Sequence, residues 1–103
     1  MPFALARGEQ LAAFFFTHPL HVTRAREHNK VLWVLARPNG GEPLEITAKR
    51  AGRSGAVRTK SDPGLGGNGQ IQRSALDFPA PGCWRLTLRW GAERATLDVY
   101  VVR

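Results

Sequence analysis

Pro79-Ala80-Pro81-Gly82-Cys83-Trp84-Arg85-Leu86-Thr87-Leu88-Arg89-Trp90 is the stretch that decides the fold class. In an extended chain Trp84, Leu86, Leu88 and Trp90 fall on one face and Cys83, Arg85, Thr87 and Arg89 on the other. That period of two marks a strand with one buried side. Pro79, Pro81 and Gly82 cannot sit inside a paired ladder, so they belong to the loop leading into it. Past Gly91 the alternation resumes over residues 94–102, with Ala95, Leu97, Val99 and Val101 on one face and Arg94, Thr96, Asp98 and Tyr100 on the other. Two such runs about a short glycine turn predict a hairpin.

Working outward, residues 71–78 alternate through Ala75-Leu76-Asp77-Phe78 and stop at Pro79. Residues 30–36, Lys-Val-Leu-Trp-Val-Leu-Ala, are apolar on both faces, which predicts the most central strand of a sheet. Arg37-Pro38-Asn39-Gly40-Gly41 is dense turn chemistry. Leu44, Ile46 and Ala48 then alternate with Glu45, Thr47 and Lys49, so the expectation here is a second hairpin. At the start of the chain, residues 3–7 and 10–16 flank Gly8-Glu9 as an opening hairpin. Helix is the rival for residues 11–16, but three consecutive Phe in a short run favour strand. His18-Pro19-Leu20-His21 interrupts the pattern, and residues 23–29 read as an exposed connection. Residues 49–69 are basic and glycine-rich, with a short strand near residues 56–59. About seven strands and no helix predict an all-β protein, a single antiparallel β-sandwich domain over residues 1–103.

The totals agree with one globular domain. A chain of 103 residues buries roughly two-thirds of the surface its unfolded form exposes, and 43% hydrophobic with 22% charged residues is ordinary for a packed core. Fifteen Lys and Arg, twelve of them Arg, stand against eight Asp and Glu, for a formal charge of +7. An anionic partner is permitted by that balance without being demanded. A single cysteine excludes an intrachain disulfide. No apolar run approaches the length of a membrane-spanning helix, and the first residues do not read as a secretory leader. The expectation for location is cytoplasmic, or secreted or cell-envelope if a leader was removed.

The strand with Trp33 and the strand entered through Pro-Gly-Cys-Trp are similar to the C and F strands of immunoglobulin-like domains, without the hallmark disulfide. Asn29-Lys30-Val31-Leu32-Trp33, Pro43-Leu44-Glu45-Ile46, Ser74-Ala75-Leu76-Asp77-Phe78-Pro79 and residues 82–90 together give the chain, from residue 14 on, a pattern that resembles small actinobacterial β-sandwich proteins. The resemblance implies an immunoglobulin-like sandwich and no catalytic residue.

Gly64-Leu65-Gly66-Gly67-Asn68-Gly69 matches Gly-x-Gly-x-x-Gly, the phosphate-cradling turn between a buried strand and a helix. Here Arg58-Thr59-Lys60-Ser61-Asp62-Pro63 precedes it and an alternating strand follows, so no cofactor is expected and the segment reads as a flexible loop. His18, His21, His28 and Cys83 carry the right atoms for zinc or copper but not a ligand spacing. Cys83, at the head of an apolar strand, reads as a small buried hydrophobe, or as exposed if only one face of its sheet is covered, since its parity opposes that of Trp84. Gly52-Arg53-Ser54-Gly55-Ala56 falls one residue short of a nucleophile elbow and lies in a loop.

The strongest functional candidate is the cluster Lys49, Arg50, Arg53, Arg58 and Lys60, five basic residues with no acid before Asp62. Arg is suited to carboxylate and phosphate through its planar fork, and like charges at this density should hold the segment extended and mobile. Without an aromatic on which a base could stack, nucleic acid is less favoured. The function expected is a non-catalytic interaction module that contacts another protein or an anionic surface polymer through this loop. The alternative is a metal-binding protein or small enzyme using His18, His21 and Cys83.

Overall fold

Alternation becomes nine strands among the residues described by the computed structural model, which are 2–8, 10–23, 28–64 and 66–103. In chain order they are β1 (Phe3–Leu5), β2 (Leu11–Phe15), β3 (Leu20–His21), β4 (Asn29–Leu35), β5 (Glu45–Arg50), β6 (Val57–Lys60), β7 (Ile71–Leu76), β8 (Gly82–Trp90) and β9 (Glu93–Val102). They form a four-stranded sheet in the order β1-β2-β4-β7 and a five-stranded sheet in the order β3-β9-β8-β5-β6. Every described pairing is antiparallel except β3 with β9. The expected all-β sandwich is therefore present.

The core lies between the sheets. Trp33 comes into it from β4 and Trp84, Leu86 and Leu88 from β8, all at most 5% exposed. The indole Nε1 of Trp33 donates to Ser74 Oγ at 2.8 Å and that of Trp84 to the Ala80 carbonyl at 3.0 Å. Each large ring is thus buried without leaving its one donor unpaired. Phe78 stacks at a tilt on Trp84, with centroids 5.4 Å apart. The hairpin predicted around Gly91 is the longest ladder, running from Gly82↔Val101 to Trp90↔Glu93. The opening hairpin also forms, as Phe3↔Phe14 to Leu5↔Ala12, although its turn residue Glu9 lies outside the described residues.

Four sequence expectations need correction. The turn at 37–41 does not close a hairpin: β4 and β5 lie in different sheets, and the segment crosses from one to the other. Both edges of β4 are taken by β2 and β7, and the Leu44 N–H is held by Ser61 Oγ at 2.8 Å and Gln72 Oε1 at 3.3 Å, which leaves it nothing to offer β4. By the same arrangement the Trp33 strand faces β8 across the core, and the strand beside β8 is β5, so the likeness of the Trp33 strand to a C strand is not met. Within residues 18–21, read as an interruption, Leu20 is buried and strand β3 forms, and within residues 23–29, read as an exposed connection, Asn29 is buried; residues 24–27 lie outside the described set. Cys83, expected to be buried, is exposed. Its parity is opposite to that of Trp84, and among the described residues each sheet is covered on one side only.

Two buried amides tie the sheets together. Asn29 Nδ2 donates to the His21 and Leu76 carbonyls at 2.8 and 3.0 Å, and its Oδ1 accepts the His21 N–H at 2.9 Å, which locks β3 of one sheet to β4 and β7 of the other. Four residues along β4, Trp33 pairs with Gln72, which does the same for both crossover loops. Gln72 Nε2 donates to the Glu42 and Gly69 carbonyls at 2.9 and 2.8 Å, while Oε1 accepts from Leu44 N–H and Ser61 Oγ. Gly69 has φ +86°, and a Cβ there would collide with Asn39 Oδ1 and the Gly41 backbone, so the loop can only close on glycine.

Replacing Gln72 with Leu takes the buried partner from the Gly69 carbonyl and the Ser61 hydroxyl, while the Glu42 carbonyl keeps Asn39 Nδ2, and should cost about 2 kcal/mol or more, read as a shift of the urea midpoint at unchanged slope. In native protein the Cys83 thiol should react with a thiol reagent about as fast as in urea-unfolded chain, since no layer covers its face of β8.

Candidate anion-binding face

The outward positions of β5, β6, β8 and β9 meet in cross-strand rows. Lys60 on β6 pairs with Glu45 on β5, which pairs with Arg89 on β8, which pairs with Arg94 on β9. The next row is Arg58, Thr47, Thr87 and Thr96, and the one after it carries Lys49, Arg85 and Asp98. Strand alternation puts these side chains outward, because Ile46, Ala48, Leu86, Leu88, Ala95 and Leu97 take the inward positions. Neighbouring strands are about 4.8 Å apart and same-face residues about 6.7 Å apart along a strand, so the rows form a lattice of cations and hydroxyls. An open depression of about 640 Å³ follows it, lined in part by Lys49, Arg58, Lys60, Arg89 and Arg94 around Thr47 and Thr87.

Charge on this face is unevenly compensated. Six cations stand against two carboxylates, Glu45 and Asp98. Asp98 is fully engaged: Arg85 Nε donates to its Oδ1 at 2.8 Å and Arg85 Nη2 to its Oδ2 at 3.2 Å. The hydrogen bond from Arg85 holds the Asp98 carboxyl below the usual aspartate range, helped by the charges of Arg85 and Arg7, and the same bond raises Arg85. Among the described residues none of Lys49, Arg58, Lys60, Arg89 and Arg94 makes an ion pair. Five cations on one flat surface are therefore left to water, which permits them to take charge from elsewhere.

The five residues singled out from the sequence are divided by the fold. Residues 49–60 are not a loop but the end of β5, a turn and β6. Lys49, Arg58 and Lys60 reach the shared face. Arg50 has the opposite parity, pairing with Trp84, and its guanidinium lies against Gly82 at the strand end. Arg53 sits in the turn, its N–H on the Arg50 carbonyl. Arg89 and Arg94, missed by the cluster, come to the face from the β8–β9 hairpin. Their signal was available, because both hold outward positions in runs already read as strands.

The other candidates are dispersed. His18 is exposed between β2 and β3, His21 Nδ1 lies 3.0 Å from the Val22 carbonyl, His28 Nδ1 lies 2.9 Å from Asp77 Oδ1, and Cys83 opens on the outer face of β8. Among the described residues no three His, Cys, Asp or Glu side chains are grouped as a metal site. Of the glycine run, Leu65 lies outside the described residues; Gly67–Gly69 form a single 3-10 turn, and β7 rather than a helix follows. Ser54 is exposed in the β5–β6 turn. Compared with known proteins, the chain matches no family model, no curated protein and no solved structure.

Because its folded pKa is depressed, Asp98 contributes stability that is complete above the ordinary aspartate value of 3.8 and lost as pH falls through the lowered one. Asp98→Asn should flatten that acid limb of the stability curve. At neutral pH the variant frees Arg85 and should elute from a sulfated-polysaccharide matrix at higher salt than the parent. The difference should vanish only at pH below the depressed Asp98 value, where the parent loses the same charge.

Proposed function

We propose that this protein is a non-catalytic binding module of the immunoglobulin-like sandwich type, whose contact surface is the basic outer face of the five-stranded sheet and whose ligand is an anionic polymer of a cell surface. Kinship with the small actinobacterial sandwich proteins, and a place in the cell envelope, belong to the same reading. The observation that carries it is the set Lys49, Arg58, Lys60, Arg89 and Arg94, presented by three neighbouring strands and β9 with no ion pair among the described residues.

The chemistry favours a polyanion with hydroxyls. Arg forks match carboxylate and sulfate oxygens, and charge-assisted hydrogen bonds of that kind are the strong ones. Between the cations Thr47, Thr87 and Thr96 offer hydroxyls that both donate and accept, suited to sugar hydroxyls. The surface is open and nearly flat, which fits a chain lying across the strands better than a small molecule, whose sites are usually enclosed clefts. Nucleic acid is less favoured. Among the described residues the one aromatic on this face, Tyr100, lies four residues along β9 from Thr96, beyond the cation rows, and bases would have no platform among them. The immunoglobulin-like assignment is supported by the short β3 that joins the terminal strand β9 in parallel while β2 before it belongs to the opposite sheet.

Retention on a heparin-type matrix separates this reading from a simple effect of net charge. Arg58→Ser/Arg89→Ser and Arg50→Ser/Arg53→Ser each remove two positive charges, but only the first pair lies on the face. The first should elute at clearly lower salt than the parent and the second close to it, with binding weakening throughout as salt rises because each charge is screened beyond about 8 Å at physiological ionic strength. Equal losses in the two variants would mean that net charge alone does the binding, and the face would have no special part in it.

A further inference from the structure

The four-stranded sheet has an outer face of the opposite character. Phe3, Phe14 and Leu32 stand in one cross-strand row, ending at Arg73 on β7. Leu5, Ala12, Val34 and Ile71 make the next row, and Phe16 follows beside Lys30, to whose carbonyl its N–H is bonded. Phe3 is 61% exposed, Phe16 56%, Leu5 53% and Ile71 36%. Phe3 and Phe14 stack with ring centroids 5.7 Å apart. Taking the exposed fraction of these side chains at ~200 Å² per aromatic ring, with the half-buried ones beside them, the apolar area is on the order of 500 Å². That is near the upper limit for the largest patch on a monomer, a size that marks contact surfaces.

We propose that this face is where a second copy of the chain docks, the two four-stranded sheets packing face to face about a two-fold axis. Three observations select that occupant. First, one face alone falls short of a stable interface, but an isologous pair doubles it to about 1,000 Å² of apolar area, the threshold for a specific contact. Second, both partners are flat sheets, and sheets pack on one another about 10 Å apart with side chains interleaved. Third, the charge is segregated. Among the described residues the cations on this face are Lys30 and Arg73, and Arg73 is held by Asp62, with Nη2 and Nε at 3.1 and 3.2 Å from Oδ2. Lys49, Arg58, Lys60, Arg89 and Arg94 gather on the other sheet. Two copies can therefore meet here without repulsion, whereas an anionic bilayer would require the cations to rim the apolar patch, and they lie on the far side of the molecule.

The test is sedimentation of the whole chain over a range of concentrations. The parent should show a monomer–dimer equilibrium with a dissociation constant on the order of micromolar, as an interface at the lower size limit gives. That association should hold or tighten as salt rises, unlike polymer binding. Phe3→Ser/Phe16→Ser should raise the dissociation constant at least ~tenfold. Arg53→Ser, at an exposed position in the β5–β6 turn, should leave it unchanged. Leu5→Lys is the second variant: it sets like charges against each other across the two-fold axis and should also give monomer. Circular dichroism melts confirm that each variant is folded. A parent that stays monomeric at every concentration, an association indifferent to folded Leu5→Lys, or parent monomer that partitions onto phosphatidylcholine vesicles instead of dimerising would each overturn the proposal.

Discussion

The architecture depends on one buried side-chain amide. Gln72 is fully buried, yet both its hydrogens and both lone pairs of its oxygen are used. Its partners come from the two segments that carry the chain between sheets, around Glu42–Leu44 and around Ser61–Gly69. A group so placed stabilises little in the net, because water would satisfy it equally well in the unfolded chain, but any arrangement of the crossovers that leaves it unpaired is penalised by about 1–3 kcal/mol for each orphaned group. It thereby selects one packing of the two sheets among several that would bury the same apolar area. Asn29 applies the same constraint at the other end of the β4–β7 ladder.

With the sheets fixed, the outer faces are determined by parity alone. Every strand shows one side to the shared core and the other to solvent, and no further layer covers either sheet among the described residues. The inward positions are nearly uniform, drawn from Leu, Ile, Val, Ala, Phe and Trp. The outward positions differ by sheet: Phe3, Leu5, Phe16 and Ile71 on one, and Arg58, Lys60, Arg89 and Arg94 on the other. Neither pattern is needed for the sandwich to form. An exposed Phe gains nothing in the folded monomer that it lacks in the unfolded chain, and clustered cations oppose folding slightly by repulsion. Surfaces that stability does not require are where binding is expected.

Much of this was legible in the sequence, and the failures share a cause. Period-two alternation is a local signal, and it placed Trp84, Leu86 and Leu88 inward and Arg85, Thr87 and Arg89 outward correctly. Turn chemistry is local too: Arg37-Pro38-Asn39-Gly40-Gly41 says that the chain reverses, but not that it returns to the same sheet. Partner choice for β5 is settled by β8 and by Gln72, 28 residues beyond Leu44. The basic cluster failed in the same way, since proximity in sequence put Arg50 and Arg53 with Lys49, while the register put Arg89 and Arg94 there instead. Gln72 itself could have been found by running the parity of Leu76 and Phe78 back through Ser74, which makes it an inward polar residue in need of partners. For Cys83 the same rule gave the exposed alternative, its parity being that of Arg85, and that is the one the structure shows.

The two outer faces constrain one another. They lie on opposite sides of a sandwich about 10 Å thick between sheet planes, so a pair joined through the apolar face stacks four sheets and holds its two basic faces about 30 Å apart, pointing in opposite directions. One extended polymer lying on a basic face cannot turn through that distance to reach the other without a sharp bend. In the proposed dimer, pairing would therefore not tighten the grip on a single strand; it would give two independent contacts and let the dimer join two strands. Where the strands are themselves held close, as in a surface layer, the second contact forms at a high effective concentration and the weak affinity of a flat, water-exposed face becomes sufficient. An opposite result, with both faces on one side, would have strengthened binding to one strand and joined nothing. With apolar and basic residues segregated onto different sheets, the two proposals taken together describe a cross-link rather than a clamp.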